Sequence, residues 1–291
     1  MRKTYPGFVE PVPPCWPRLD PGPWLRSKQA TAAPPPPDPL VLDLNGDGIQ
    51  TIAIDAGTYF DHNGDGFAEL TGWVDSGDGL LVMDRNGDGF INDGKELFGD
   101  QTILGDGTRA ANGFEALAEL DNNEDGIIDA SDAGFSQLGV MTASTENRYE
   151  IHSLDELGIK FINLDWTTTG IIDSQGNTQF SSSSYERNDG TSGVIAEYGF
   201  VTDRSSAAPV QWYFTSEDIA GLPDLRGSGN VYHLHQAMAR DTIGHLESLL
   251  EQFISTADPN SRNGVMQEIL FKWAGSDGVH PNSRGPNIDA R

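Results

Sequence analysis

Cysteine is almost absent from this sequence of 291 residues, and basic residues are scarce. The single cysteine, Cys15, excludes an internal disulfide framework and a cysteine-rich metal site. Only 18 Lys and Arg oppose 44 Asp and Glu, and the net charge of −26 argues against nucleic acid or an anionic membrane surface as a partner. No apolar run approaches the roughly 18 residues that span a bilayer, so no membrane span is expected.

Proline and charge divide the chain into three regions. The first 39 residues hold 12 of the 17 prolines, so residues 1–38 are predicted to form an extended leader or linker. Residues 39–135 hold 21 acidic and three basic residues, a net charge of −18. Such a segment repels itself unless bound cations neutralise it. We therefore predict a cation-binding module over 39–164, and a strand-rich, then helical region of unassigned role over 165–291.

The secondary-structure pattern predicts an α+β fold: an irregular calcium-loaded domain with EF-hand-like loops and short strands. In the acidic segment, strand-like runs at 40–42, 49–54 and 79–83 alternate with Asp/Asn/Gly turns. A capping-box pattern at Asn112 to Glu115 predicts a helix over 112–120. Strand patterns then run to residue 202, and helical patterns follow at 232–253 and 265–273.

Four segments share the pattern Asp-x-Asn-x-Asp-Gly, and we number them as loops one to four. They are Asp43-Asn45-Asp47-Gly48, Asp61-Asn63-Asp65-Gly66, Asp84-Asn86-Asp88-Gly89 and Asp121-Asn123-Asp125-Gly126. Calcium prefers six to eight oxygen ligands, which alternate side chains supply when the chain turns sharply at a glycine in position 6. A single copy is equally well an ordinary turn, but the repetition favours Ca²⁺ as a shared cofactor, and magnesium fits such irregular cages less well.

Loop four matches an EF-hand most closely. Its positions 1, 3, 5, 7, 9 and 12 are Asp121, Asn123, Asp125, the Ile127 carbonyl, Asp129 and Asp132. It follows the helix predicted over 112–120, and residues 133–138 are predicted to form the exit helix. The one departure from the EF-hand pattern is an aspartate where position 12 usually carries glutamate.

The other three loops depart further from the pattern. In loop three the acid that can close the site is Glu96, at position 13 instead of 12. Loop two has Glu69 at position 9 and a glycine at position 12, and loop one has Ile54 at position 12, with Asp55 following. Glu69 and Glu96 are therefore the predicted acidic ligands of loops two and three.

The dipeptide Asp38-Pro39 stands five residues before loop one. An aspartate side chain can attack its own main-chain carbonyl and close a five-membered anhydride, and the proline nitrogen then leaves as a secondary amine. Asp20-Pro21 and Asp258-Pro259 also occur, and both are typical of turns. From composition alone, a linker junction at Asp38-Pro39 is the simpler interpretation.

The chain resembles the self-processing module of FrpC-like, iron-regulated RTX (repeat-in-toxin) proteins from Asp38 to about Leu164. The stretches that carry the resemblance are 38–49, 60–66, 71–74, 78–84, 96–100, 113–117 and 154–159. Segments 222–230 and 269–273 resemble sequences that follow such modules in very large RTX proteins, with no activity to assign. The nine-residue glycine-rich repeats of RTX secretion domains are absent, and Met141 to Asn147 stands where related modules have a further calcium loop.

This resemblance implies that calcium folds the module and triggers cleavage of the Asp38-Pro39 bond. Asp38 would be both nucleophile and electrophile, Pro39 the new N-terminus, and the loops the calcium switch. The anhydride left on Asp38 can be joined to a lysine, so a lysine-bearing protein is the implied crosslink acceptor. The chain is expected to be secreted or at the cell surface, by leaderless export because residues 1–30 lack an apolar signal core.

Two alternatives remain open at this point. The first is a non-catalytic calcium-binding module that acts as a structural spacer in a secreted protein, with Asp38-Pro39 marking only the linker. The second places a binding or effector function in residues 158–291, unrelated to the calcium loops.

Overall fold

The structure is a computed structural model that describes residues 38–143 and 149–279. The predicted leader up to residue 37, and residues 144–147 of the segment that replaces a further calcium loop, lie outside the described residues. The strands are β1 Leu40–Asp43, β2 Thr51–Ile52, β3 Thr58–Phe60, β4 Phe67–Thr71, β5 Trp73–Val74, β6 Asp78–Met83, β7 Ile127–Asp129, β8 Leu138–Ala143, β9 Tyr149–Ser153, β10 Ile159–Asn163, β11 Thr167–Ile172, β12 Thr178–Arg187, β13 Ser192–Gly199 and β14 Thr202–Pro209. The α-helices are α1 Gly113–Ala118, α2 Glu217–Ala220, α3 Leu234–Arg240, α4 His245–Ser255 and α5 Pro259–Trp273.

The described chain divides into two compact units. The first contains residues 38–58 and 71–202, and the second contains residues 59–70 and 203–279. Loops one, three and four therefore belong to the first unit, whereas loop two belongs to the second. The domain boundaries predicted from the sequence remain predictions.

The first unit is built on one large antiparallel sheet. Its strand order is β7-β10-β12-β13-β1-β6-β8-β9, with β11 added alongside β12. β1 lies in the interior of this sheet, between β13 and β6, and its pairing places Leu40 opposite Glu197 and Asp43 opposite Asp78. Leu40, Val41 and Leu42 are fully buried. Their continuous apolar run is the pattern expected of a strand that is covered on both faces.

A large hydrophobic core supports this sheet. Leu40 and Leu42 of β1 pack with Phe98, with Phe114 of α1 and with Val140 of β8, and all five side chains are essentially inaccessible to solvent. The short helix α1 is capped by Asn112, as predicted, because its side chain accepts a hydrogen bond from the Glu115 amide at 2.8 Å. The Glu115 carboxylate accepts from the amide of Ala111, one residue before the cap, and not from that of Asn112. The core therefore surrounds the strand that carries Pro39 at its start.

The predicted α+β fold is wrong, because the described first unit is mostly β. Between residues 38 and 202 the α-helical structure in the described part is α1, which has six residues. The calcium-type loops connect strands or short turns here and do not connect EF-hand helices. The sequence pattern predicted short separate strands, but in the structure these strands pair with strands distant in sequence and form one sheet. Such pairing depends on tertiary context and not on local propensity.

The predicted exit helix over 133–138 is also wrong. A 3-10 helix at Phe135–Gln137 occupies the place, and β8 begins at Leu138. Leu138, Val140 and Met141 are buried and pair with β6, which provides more buried apolar contact than a short exposed helix could. Loop four thus has an α-helix before it but a short 3-10 helix and a strand after it.

The second unit combines a small sheet with helices. β14, β4 and β3 form its three-stranded sheet, in that order. The helices α2 to α5 share a core in which Leu234, Met238 and Leu249 are buried. The helical patterns predicted over 232–253 and 265–273 correspond to α3, α4 and α5. None of the helices in the described residues has the length and apolarity needed to cross a membrane.

Candidate functional site

Asp38 and Pro39 lie where the chain enters the middle of the sheet. Pro39 is buried, and its carbonyl oxygen accepts a hydrogen bond from the Tyr198 amide of β13 at 3.0 Å. The next residue, Leu40, donates its amide to the Phe98 carbonyl at 3.1 Å. The Asp38-Pro39 bond is therefore held from two sides by residues distant in sequence.

The segment Phe98 to Asp100, which we call the cradle, lies directly against Asp38. A Cβ atom on Gly99 would be 3.0 Å from both the carbonyl oxygen and Oδ1 of Asp38, and 3.2 Å from its carbonyl carbon. The Asp100 amide donates to Asp38 Oδ1 at 2.7 Å. The cradle thus contacts the side-chain carboxyl group and the main-chain carbonyl of the same residue, the two groups that would react with each other.

The electrostatic environment of Asp38 favours its protonated form. Burial raises the pKa of Asp38 to about 8, and the negative charges of Asp100 and Glu197 act in the same direction. The Asp100 amide opposes this shift by hydrogen bonding to the ionised carboxylate. At neutral pH the Asp38 carboxyl group therefore carries a proton that an exposed aspartate would have lost.

Glu197 is the buried acid next to Asp38. It belongs to β13 and forms a side-chain hydrogen bond with Asp38. Its Oε1 accepts from the Gly113 amide at 3.0 Å, and its Oε2 accepts from the Ser181 hydroxyl at 2.7 Å. These contacts fix the carboxyl group beside the Asp38-Pro39 bond, where a proton could be exchanged with Asp38.

Sequence reasoning missed Gly99, Asp100 and Glu197. The stretch Glu96 to Asp100 contributed to the family resemblance, but no role followed from it. Glu197 did leave a signal, since it is an acid inside the otherwise apolar run Val194 to Val201. The partner of that acid could not be deduced, because it depends on β1 pairing with β13.

The four Asp-x-Asn-x-Asp-Gly loops share one backbone geometry. In each, the first aspartate accepts the amide of the glycine at position 6, at 2.8 to 3.0 Å. That glycine has a φ between 82° and 90° in all four loops, a conformation that disfavours other residues. The four loops therefore share the tight turn that a glycine at position 6 permits.

Loop three brings the most closely spaced acidic groups together. Asp84, Asp88 and Glu96 place carboxylate oxygens within 4.8 Å of one another, and within the described ranges they are the one set of three potential metal-binding residues that do so. Glu96 is buried; its Oε2 accepts from the Asn92 amide at 2.7 Å, but its Oε1 has no hydrogen-bond partner. Burial raises the pKa of Glu96. A divalent cation bound with the Asn86 oxygen would satisfy the orphaned oxygen, so the donor set fits Ca²⁺.

Loop two has a different acid closing it. Glu69 of β4 is buried and accepts hydrogen bonds from the His62 amide at 3.3 Å and from the Asn63 side chain at 3.2 Å. Burial raises the pKa of both Asp61 and Glu69. Position 9 therefore does face the loop that contains Asp61, Asn63 and Asp65, as the spacing predicts.

Loop four is closed by the aspartate at position 12. Asp132 is buried and accepts hydrogen bonds from the Asn122 amide at 2.8 Å and the Asp129 amide at 3.0 Å. Ile127 and Asp129 lie in β7, so this part of the loop belongs to the sheet. Asp121, Asn123 and Asp125 lie in the preceding turn. Asp132 thus folds back onto the loop, although the exit helix of an EF-hand is missing.

In loop one, the predicted ligand Asp43 is the last residue of β1, and the predicted ligands Asn45 and Asp47 follow it. Asp43 is buried and its carboxylate accepts the Gly46 amide at 2.7 Å, whereas Asn45 and Asp47 are exposed. No acid of the same loop closes this site, as the sequence indicates.

The described sheet thus buries an Asp-Pro bond close to two acids, Asp100 and Glu197, in a chain that carries four Asp-x-Asn-x-Asp-Gly turns. The SPM domain model matches residues 40–201, more than half of the chain, so the protein belongs to the SPM domain family. The match begins directly after Asp38-Pro39.

A similar protein is the iron-regulated protein FrpA of Neisseria meningitidis serogroup C. It is 37% identical over 246 residues, which cover 82% of this chain and 22% of FrpA. The chain thus spans about a fifth of that relative's length. The resemblance to the self-processing module of FrpC-like RTX proteins is confirmed.

Proposed function

We propose that this protein is a calcium-triggered self-processing module that cleaves its own Asp38-Pro39 bond. The observation that supports this most directly is the placement of Gly99 and Asp100 against both reacting groups of Asp38. Intramolecular reactions held in such proximity reach effective molarities of roughly 10⁵–10⁸ M. The buried sheet provides that restraint, which a flexible linker would lack.

In the proposed reaction, a side-chain oxygen of Asp38 attacks the Asp38 main-chain carbonyl carbon. A C–O bond forms, the C–N bond to Pro39 breaks, and the electron pair of that bond moves to the nitrogen. One proton leaves the Asp38 carboxyl group and one proton is added to the Pro39 nitrogen, so the reaction needs no net uptake or release of protons. The upstream fragment ends in a five-membered cyclic anhydride, and Pro39 becomes a free secondary amine.

Glu197 would carry the proton between these two groups. It is hydrogen-bonded to Asp38, and the β1–β13 pairing places it opposite Leu40, next to the leaving nitrogen. A positioned acid of this kind typically contributes about 10²–10⁴-fold to a rate. The sequence alone did not identify a general acid for this reaction.

Calcium would act on the cradle through loop three. An ion bound by Asp84, Asp88 and Glu96 fixes the 3-10 helix Gly94–Glu96, which leads directly into Leu97 and the cradle. Leu97 forms a β-bridge with Val82 of β6, so the connection is anchored to the sheet. Ion binding would also neutralise the repulsion that opposes folding of the acidic segment.

The anhydride can react further in two ways. Water opens it to give a C-terminal Asp38, and a lysine amine opens it to give an isopeptide crosslink and a free carboxylate. A lysine-bearing protein is therefore the proposed acceptor. We propose an extracellular location, where calcium reaches the roughly 10⁻⁴–10⁻³ M at which low-affinity modules bind it.

The direct test is the intact mass of chelator-purified protein before and after addition of millimolar calcium. We expect a new fragment that begins at Pro39. The bond Asp258-Pro259 is an internal control: Asp258 is exposed and caps α5, so that bond should remain whole. A chain that gains order with calcium but keeps its full mass would instead be a non-catalytic spacer.

The cleavage rate should fall above pH 8. The pKa of Asp38 is raised to about 8, so its carboxyl group still carries the required proton at pH 7 and loses it as the pH rises through 8. At saturating calcium we expect a loss of about tenfold per pH unit beyond that point. Initial rates of fragment formation between pH 6 and 10 provide the measurement.

Glu197→Gln should move this decline to lower pH and slow the reaction. The substitution removes a negative charge that raises the pKa of Asp38, so the carboxyl group ionises earlier. Glu186→Gln is the matched control, because Glu186 pairs with Lys160 at 3.0 Å and not with Asp38. A rate that increases through pH 8 in the wild type would contradict the proposed proton transfer.

Gly99→Ala should slow cleavage by about 10²-fold, because misplacement of reacting groups by roughly 1 Å has that effect. The new methyl group would lie 3.0 Å from two oxygens of Asp38 and push the cradle away. Gly105→Ala is the control: its methyl group would be 3.7 Å from the nearest atom, a Glu119 oxygen. Equal cleavage rates in the two variants would show that the cradle does not position Asp38.

A further inference from the structure

Asp78, the first residue of β6, is a fully buried carboxylate with an unsatisfied oxygen. Its Oδ2 accepts the Gln50 amide at 2.7 Å, but its Oδ1 has no hydrogen-bond partner. Burial of a charged group is unfavourable unless each of its oxygens is paired or binds a metal. A cation is the simplest partner for an orphaned carboxylate oxygen.

Asp78 lies directly beside loop one. It is opposite Asp43 in the antiparallel β1–β6 pair, and opposite residues place their side chains on the same face about 4.5–5.5 Å apart. The charges of Asp43 and Asp47 oppose ionisation of Asp78, in addition to its burial. The side chain of Asn45 also packs here, since a Cβ on the preceding Gly77 would be 2.4 Å from Asn45 Nδ2.

We infer that Asp78 is a ligand of a calcium ion held by loop one, together with Asp43, Asn45 and Asp47. It would supply the acidic oxygen that the loop lacks at position 12, where the chain has Ile54. Asp43 and Asp78 are buried, whereas Asn45 and Asp47 are exposed on the turn. The spacing within loop one could not predict this ligand, because Asp78 belongs to a different strand.

An ion at this composite site would fasten the end of β1 to the start of β6. β1 begins next to Asp38-Pro39, so this contact would stabilise the strand that holds the reacting bond in the sheet. The consequence for cleavage depends on the proposed function, whereas ion binding by Asp78 does not. The two ideas can therefore fail separately.

The test counts calcium ions by native mass spectrometry in an Asp38→Asn background, so that cleavage does not disturb the measurement. Asp78→Asn should bind one ion fewer than its parent, while its amide oxygen can still accept the Gln50 amide. Asp75→Asn is the matched control, since Asp75 is exposed on the same turn and should leave the ion count unchanged. An unchanged ion count in Asp78→Asn overturns the inference.

A structural measurement covers the case in which Asp78→Asn does not fold. Crystals of the Asp38→Asn protein grown with terbium should show an anomalous peak at about 2.3–2.6 Å from Asp78 Oδ1. Peaks confined to the other loops would overturn the inference as decisively as an unchanged ion count.

Discussion

Asp38→Asn should leave the chain at full mass after calcium is added. The amide lacks the nucleophilic carboxyl oxygen and its proton, so both the attack and the protonation of Pro39 nitrogen are lost. We expect the rate to fall by at least about 10³-fold, given the effective molarity of roughly 10⁵–10⁸ M that a held intramolecular nucleophile reaches. The measurement is intact mass over time at saturating calcium.

Two further variants make this result specific. Asp258→Asn changes an exposed Asp-Pro pair and should cleave like the wild type. Asp38→Glu keeps the acid but lengthens it by one methylene, where Gly99 leaves no room, and should cleave slowly or not at all. If Asp38→Asn is still cut before Pro39 at the wild-type rate, Asp38 is not the nucleophile.

Glu96→Gln should raise the calcium concentration needed for cleavage by tenfold or more. The variant keeps the shape of the side chain but removes the one buried carboxylate of loop three, whose Oε1 is available to an ion. A tenfold change corresponds to about 1.4 kcal/mol of binding free energy. The midpoint of cleavage in a calcium titration, with the same titration followed by circular dichroism, gives the shift.

Glu150→Gln is the control for this titration. Glu150 is an exposed residue of β9 in the same unit, and its replacement should leave the midpoint unchanged. If Glu96→Gln and Glu150→Gln share the wild-type midpoint, loop three does not transmit calcium binding to the cradle. Cleavage would then have to depend on another loop.

The features that the sequence determined are local ones. The Asp-x-Asn-x-Asp-Gly loops fold as their spacing predicts, because each contact joins residues at most five positions apart and the glycine permits the turn. The Asn112 cap of α1 is equally local. The chemistry of Asp38-Pro39 and the resemblance that identified the family also required nothing beyond short stretches of sequence.

Only the tertiary structure decided what surrounds that chemistry. Asp100 and Asp38 are 62 positions apart, and Gly113 and Glu197 are 84 apart. Their meeting depends on β1 inserting between β6 and β13, and the same pairing brings Asp78 to loop one. The order of the strands depends on how the side chains of all strands pack together in the sheet. A short stretch of sequence therefore does not predict it. For that reason the sequence identified the bond, and the fold supplied the residues that act on it.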